Sequence, residues 1–139
     1  MNRQFPLAGL LRVRQVEHDA AVSRLGRTTA LRQATTDQRM RMAGGLAASG
    51  TDAVDAASLT AIAAARAAAG SMLAALDARE QEQRLEEERA AAEVRDAVRR
   101  ARGIEKLETR HRDAVAAEEL RLGQIELDEI AGRTGGDRS

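Results

Sequence analysis

The chain has 139 residues, 43% of them hydrophobic, yet its only aromatic side chain is Phe5 and much of the apolar content is alanine. Burial stabilises by roughly 25 cal/mol per Å² of apolar surface, so small side chains make a thin globular core, whereas paired helices need only a narrow seam. The 22 basic and 22 acidic residues cancel and are mixed along the chain, unlike the basic excess or stripe of a nucleic-acid binder; the absence of cysteine rules out disulfides, thiolate metal sites and cysteine nucleophiles.

The opening segment MNRQFPLAGLL is broken by Pro6 and Arg12 and lacks the apolar core of a signal peptide. No stretch is read as a membrane span of about 20 apolar residues, and the expected location is the cytoplasm. Pro6 suits a first helical residue, where its missing N–H costs nothing. A first helix is predicted over about 6–43. Its 3–4 spaced seam runs Leu7, Leu11, Arg14, His18, Ala21, Leu25, Thr28, Arg32, Thr35, Arg39, Met42 and Leu46, apolar at the ends and polar in the middle. Such a seam needs a partner helix.

Residues 44–51 form the clearest break, because Gly44, Gly45 and Gly50 each remove about 1 kcal/mol of helix propensity. Ser49 or Thr51 is placed to cap the next helix. An Ala-rich tip over 52–69 precedes a softer break at Gly70-Ser71, and a long second helix is predicted over about 71–131. One heptad register holds from Leu59 through Ile62, Ala69, Leu73, Leu76, Ala90, Val94, Ala97, Ala101, Ile104, Val115 and Leu122 to Ile125. That persistence is the strongest structural signal in the chain. Its polar interruptions are Arg66, Glu80, Gln83, Glu87, Glu108, His111 and Glu118. Acid-before-base pairs at i,i+4, such as Glu80–Arg84 and Glu108–Arg112, have the orientation that suits a helix. Residues 132–139 are predicted to be a disordered tail.

Two seams around a breaker predict an all-α fold: an elongated antiparallel two-helix coiled coil with a short Ala-rich helical tip, in a single domain over 1–139. Two versions exist. A tight turn at 44–50 leaves the second helix far longer than the first, whereas a folded tip over 51–69 brings the termini flush. The second leaves less seam uncovered and is the one expected here, with Leu122 and Ile125 facing the first helix.

A two-helix fold has no water-shielded pocket for convergent catalytic groups. His18 and His111 both fall on seam positions, and with flush termini they reach similar heights near Glu17 and Glu108. Polar seam residues that fix register are the better reading, and no HExxH spacing occurs. Glu86, Glu87 and Glu88 point about 100° apart around a helix and do not converge on a metal. Arg99, Arg100 and Arg102 are flanked by Asp96 and Glu105, as on an ordinary charged surface. No glycine-rich phosphate loop is present. The expectation is a non-enzyme with no cofactor and no metal, and composition alone stops at a cytoplasmic coiled-coil scaffold or dimerisation protein.

The two ends go further. Phe5, Leu7, Leu10, Leu11 and Arg14 form F-x-L-x-x-L-L-x-x-R, which resembles the start of the FliJ family of flagellar type III export proteins. Glu118 to Arg133, with Leu127-Asp128-Glu129-Ile130-Ala131, resembles that family's C-terminal helix. The resemblance implies an antiparallel stalk similar to that of rotary ATPases, peripheral to the inner membrane at the export apparatus without inserting into it. It implies that the paired termini enter the hexameric export ATPase, through Phe5, Leu7, Leu11, Leu127, Asp128, Glu129 and Ile130. It further implies contact with the cytoplasmic domain of the export-gate membrane protein and, in some roles, with export chaperones. Family members often carry mid-rod aromatic residues; none stands here, so no gate-contacting position is carried over.

Overall fold

A computed structural model describes residues 4–136. Two α-helices account for nearly all of them, α1 (Ala8–Ala48) and α2 (Ala56–Gly136), and no strand occurs among the described residues. The helices run antiparallel and pack along the seams the spacing predicts. On α1 every seam position from Leu11 to Leu46 is at least half-buried, and only Leu7 lies on the exposed side. The chain divides into two compact units, one formed by 19–96 and the other by 1–18 with 97–139.

The unit over 19–96 contains the hairpin turn. Its core is narrow: Ala21, Thr35, Leu76, Glu80 and Ala90 are the buried residues. Small side chains at these positions let two helix backbones approach closely, and what they lack in area is supplemented by charge. Arg24 on α1 pairs with Glu93 on α2, and Arg32 Nε lies 2.6 Å from Glu87 Oε2. Arg39 reaches Asp77 Oδ1 at 2.9 Å and Glu80 Oε2 at 3.1 Å, while Arg84 holds the other Glu80 oxygen at 2.9 Å. Glu80 is only 4% exposed, and a buried carboxylate survives because both its oxygens are paired.

These pairs share a polarity. The arginine is on α1 and the acid on α2 in each of the cross-helix pairs just named. α1 as a whole carries seven arginines against three acids, and α2 thirteen bases against sixteen acids. Opposite charge therefore favours α1 against α2 over either helix against its own kind.

The turn departs from the expected one. α1 continues through Gly44 and Gly45, neither of which adopts a positive φ, to end at Ala48. Met42 and Leu46 remain half-buried in the seam on either side of the glycines, and that packing offsets their propensity cost of about 1 kcal/mol each. The Ser49 N–H and hydroxyl both donate to the Leu46 carbonyl, and Arg66 donates to the Ser49 carbonyl, so the last turn of α1 is closed from both helices. α2 begins after Asp55, whose carboxylate accepts the Ser58 N–H at 2.7 Å. That is an N-cap geometry. The hydrogen bond holds the Asp55 carboxyl below the usual carboxylate range. The cap is thus Asp55, and neither Ser49 nor Thr51 fills that role. No break occurs at Gly70-Ser71, because α2 runs unbroken from Ala56. The Ala-rich segment is the first part of the long helix, so the turn is the tight version with a far longer second helix. By length and composition alone α2 also contains a stretch apolar enough to cross a membrane, contrary to the sequence expectation; its apolar character comes mostly from alanine, with Arg66 inside the Ala-rich run.

The second unit joins the start of α1 to α2 from Ala97 onward. α1 opens with the Leu11 N–H donating to the Leu7 carbonyl at 2.9 Å, just after Pro6. Ala97 and Ala101 are buried, Arg100 Nη1 stands 3.6 Å from Glu17, and the Phe5 ring meets His111 at 5.6 Å. Beyond His111 α2 continues to Gly136, and every residue from 119 to 136 is exposed. The termini are therefore not flush, and Leu122 and Ile125 face no helix among the described residues. Residues 132–136, expected to be disordered, are helical; 137–139 lie outside the described residues.

Candidate partner-binding site

The seven end residues fall into two sets. At the start, Phe5 is half-buried against His111, Leu11 is half-buried in the seam, and Leu7 is exposed. These are held in place by hairpin packing. The second set, Leu127, Asp128, Glu129 and Ile130, lies on the free part of α2. Leu127 and Ile130 are exposed, and Asp128 Oδ1 accepts a hydrogen bond from Gln124 Nε2 at 3.0 Å. At 1.5 Å per residue, Leu127 is roughly 24 Å along α2 from His111, the residue that meets Phe5. The fold does not bring the two sets together into one tip. Sequence reasoning joins them because it places the turn too far along the chain.

What the free stretch offers is contact chemistry rather than catalysis. Leu120, Leu122, Ile125, Leu127 and Ile130 are all exposed, Leu120 at 76%. From Asp113 to Gly136 there are six acids and two bases. Two i,i+3 hydrogen bonds, at 2.6 and 3.0 Å, tie Arg121 to Glu118, lowering the Glu118 carboxyl and raising the Arg121 guanidinium from their ordinary values. Such local pairing supports the helix without covering its apolar face.

His18 and His111 do not meet: His111 lies against Phe5, ahead of the start of α1, and His18 is nearly three helical turns into α1. The His111 Nε2 is buried without a hydrogen-bond partner. No group of three potential metal-binding side chains occurs among the described residues. Near the turn, an open groove of about 480 Å³ is lined by Met42, Leu46, Ile62, Ala69 and neighbours, with Arg66 as its one charged group. It offers no convergent pair of polar groups for acid–base work.

Comparison with curated proteins and comparison with solved structures each found no match. A protein family described as "Flagellar FliJ protein" matches residues 3–138. With nearly the whole chain covered, this protein belongs to the FliJ family and is a component of the flagellar export apparatus.

Proposed function

We propose that the chain is a non-catalytic, cytoplasmic stalk that binds the hexameric export ATPase and stimulates its hydrolysis, linking it to the cytoplasmic domain of the export-gate membrane protein. The observation that carries this reading is the family match together with a helical end that exposes apolar side chains and acids and faces no second helix among the described residues. A stalk acts by presenting different side chains to successive subunits of a ring, and such an end supplies the required mixture. Leu127, Asp128, Glu129 and Ile130 are the first contacts of this reading, with Phe5, Leu7 and Leu11 farther back at the base of the projecting helix. Transient contact with export chaperones fits the same exposed surface. The Ala-rich start of α2 stays outside the membrane in this reading, because Arg66 there is engaged with Ser49 across the hairpin.

The test is ATP turnover by the cognate export ATPase, with and without the protein. Asp128→Ala with Glu129→Ala leaves helicity intact, since alanine is the better helix former, and is expected to lower stimulation and swimming motility together. Full stimulation by the double variant moves the coupling surface elsewhere. No stimulation by the unmodified chain leaves a scaffold of the export apparatus.

A further inference from the structure

The seam on α2 does not stop where α1 stops. Within the unit formed by 1–18 and 97–139, its register positions run Ala97, Ala101, Ile104, Glu108 and His111 against the start of the chain. They continue without a break in phase through Val115, Glu118, Leu122 and Ile125. The first group is buried or half-buried, Val115 and Glu118 are half-buried, and Leu122 and Ile125 are exposed. The same helical face is an interface over one length and uncovered over the next. The uncovered length is the more apolar, and an isolated helix of this length is marginal in water unless a partner covers its apolar face.

Charge says what covers it. α1, which fills the seam as far as His111, is the basic helix of the pair, and most cross-helix ion pairs run from its arginines to acids of α2. The free stretch is also acidic, with six acids to two bases from Asp113 to Gly136. We infer that the exposed face carrying Leu122 and Ile125, with the acids from Glu118 to Glu129 beside it, is a docking surface for a basic amphipathic helix of another protein, laid in the seam in line with α1. The occupant resembles α1 in kind: apolar residues at 3–4 spacing, flanked by arginine or lysine. A second copy offering its own acidic stretch meets like charge here and is disfavoured. The inference goes beyond the ATPase reading, because it concerns seam positions that reading does not use and holds for whichever component supplies the helix.

The probe is a synthetic peptide of residues 7–32 of this chain, a basic helix with the right seam, titrated into the isotope-labelled full chain. A twin peptide carries Arg12, Arg14, Arg24, Arg27 and Arg32 all changed to Glu. Backbone amide shifts are expected to move saturably within residues 113–130, with the twin at least tenfold weaker. Ile125→Asp is expected to abolish the shifts while leaving the thermal melt of the full chain unchanged, since Ile125 faces no helix among the described residues. Shifts confined to 97–111 mean the peptide merely exchanges with α1 and overturn the proposal. Equal binding of both peptides, no shifts at all, or a concentration-dependent dimer that protects 113–130 by itself overturns it as well. ATPase stimulation is measured separately, so loss of one reading leaves the other standing.

Discussion

The paired seam over residues 19–96 and the free helix beyond His111 invert the usual relation between hydrophobicity and burial. The paired seam buries alanine, threonine and glutamate, with a single leucine, Leu76. The free helix carries three leucines and two isoleucines and exposes all of them. Burial here follows from having a partner helix in reach. In the paired seam, small side chains and charge complementarity bring the backbones together, and the side chains with the most to gain from burial have been left outside the intramolecular contact. Intramolecular packing thus occupies one length of the helical face and leaves the more apolar length exposed.

The comparison breaks most easily by truncating one large apolar residue in each region. Leu76 is 8% exposed, and Leu76→Ala is expected to cost about 2–3 kcal/mol of unfolding free energy, the lower part of the range for buried leucines. Ile125→Ala, though it removes a similar volume, is expected to change stability by less than about 0.5 kcal/mol. Urea unfolding followed by far-UV circular dichroism measures both. Comparable losses at the two sites mean that Ile125 is buried against this chain after all.

The charged part of the paired seam gives a smaller effect. Arg39→Ala takes one of two partners from the buried Glu80 carboxylate and also releases Asp77. Arg84 remains, and the Arg39 side chain is itself 37% exposed, so the expected loss is about 1–2 kcal/mol, below that of an orphaned buried charge. Replacing the pair together, Arg39→Met with Glu80→Leu, is expected to recover most of the loss, because apolar groups of similar size fill the same space without desolvated charge. A double-mutant cycle in the same unfolding assay reads the coupling. Additive losses with no recovery mean that the pair does not couple across the seam.

Most of this architecture is legible in the sequence. Both seams, down to Thr35, Glu80 and His111, follow from 3–4 spacing, because a hairpin that buries so little must keep one register over its whole length. The turn is misplaced for a local reason. Glycine count points at 44–50 and Gly70, but a glycine inside a helix costs only about 1 kcal/mol, less than well-packed neighbours return. The decisive signal is Asp55 three residues before Ser58, an N-cap pattern hidden among alanines. Once the turn moves, α2 outruns α1, and the two sets of end residues separate. The end motifs carry the family resemblance, whereas the exposure of the residues in them depends on a count from the turn.

The smallest effect sharpens the boundary from which both regions are measured. Asp55 fixes the first residue of α2, and so the number of residues left over at the other end. Its carboxyl titrates below the usual range because the ionised form accepts the Ser58 N–H. A group depressed in the folded state stabilises it above the unfolded carboxylate value of about 4, and the contribution is lost as pH falls through the lower folded value. The first turn of α2 is therefore expected to fray below about pH 4, ahead of the interior of the seam. Asp55→Asn keeps an acceptor at the cap and removes the charge, so it retains the turn but flattens this pH dependence. Asp55→Ala removes both, and fraying is expected at neutral pH as well. Amide exchange at Ser58 and Leu59, followed from neutral pH to well below the unfolded carboxylate value of about 4, separates the three proteins. If the parent and the asparagine variant share one profile, the carboxylate is not what starts the helix.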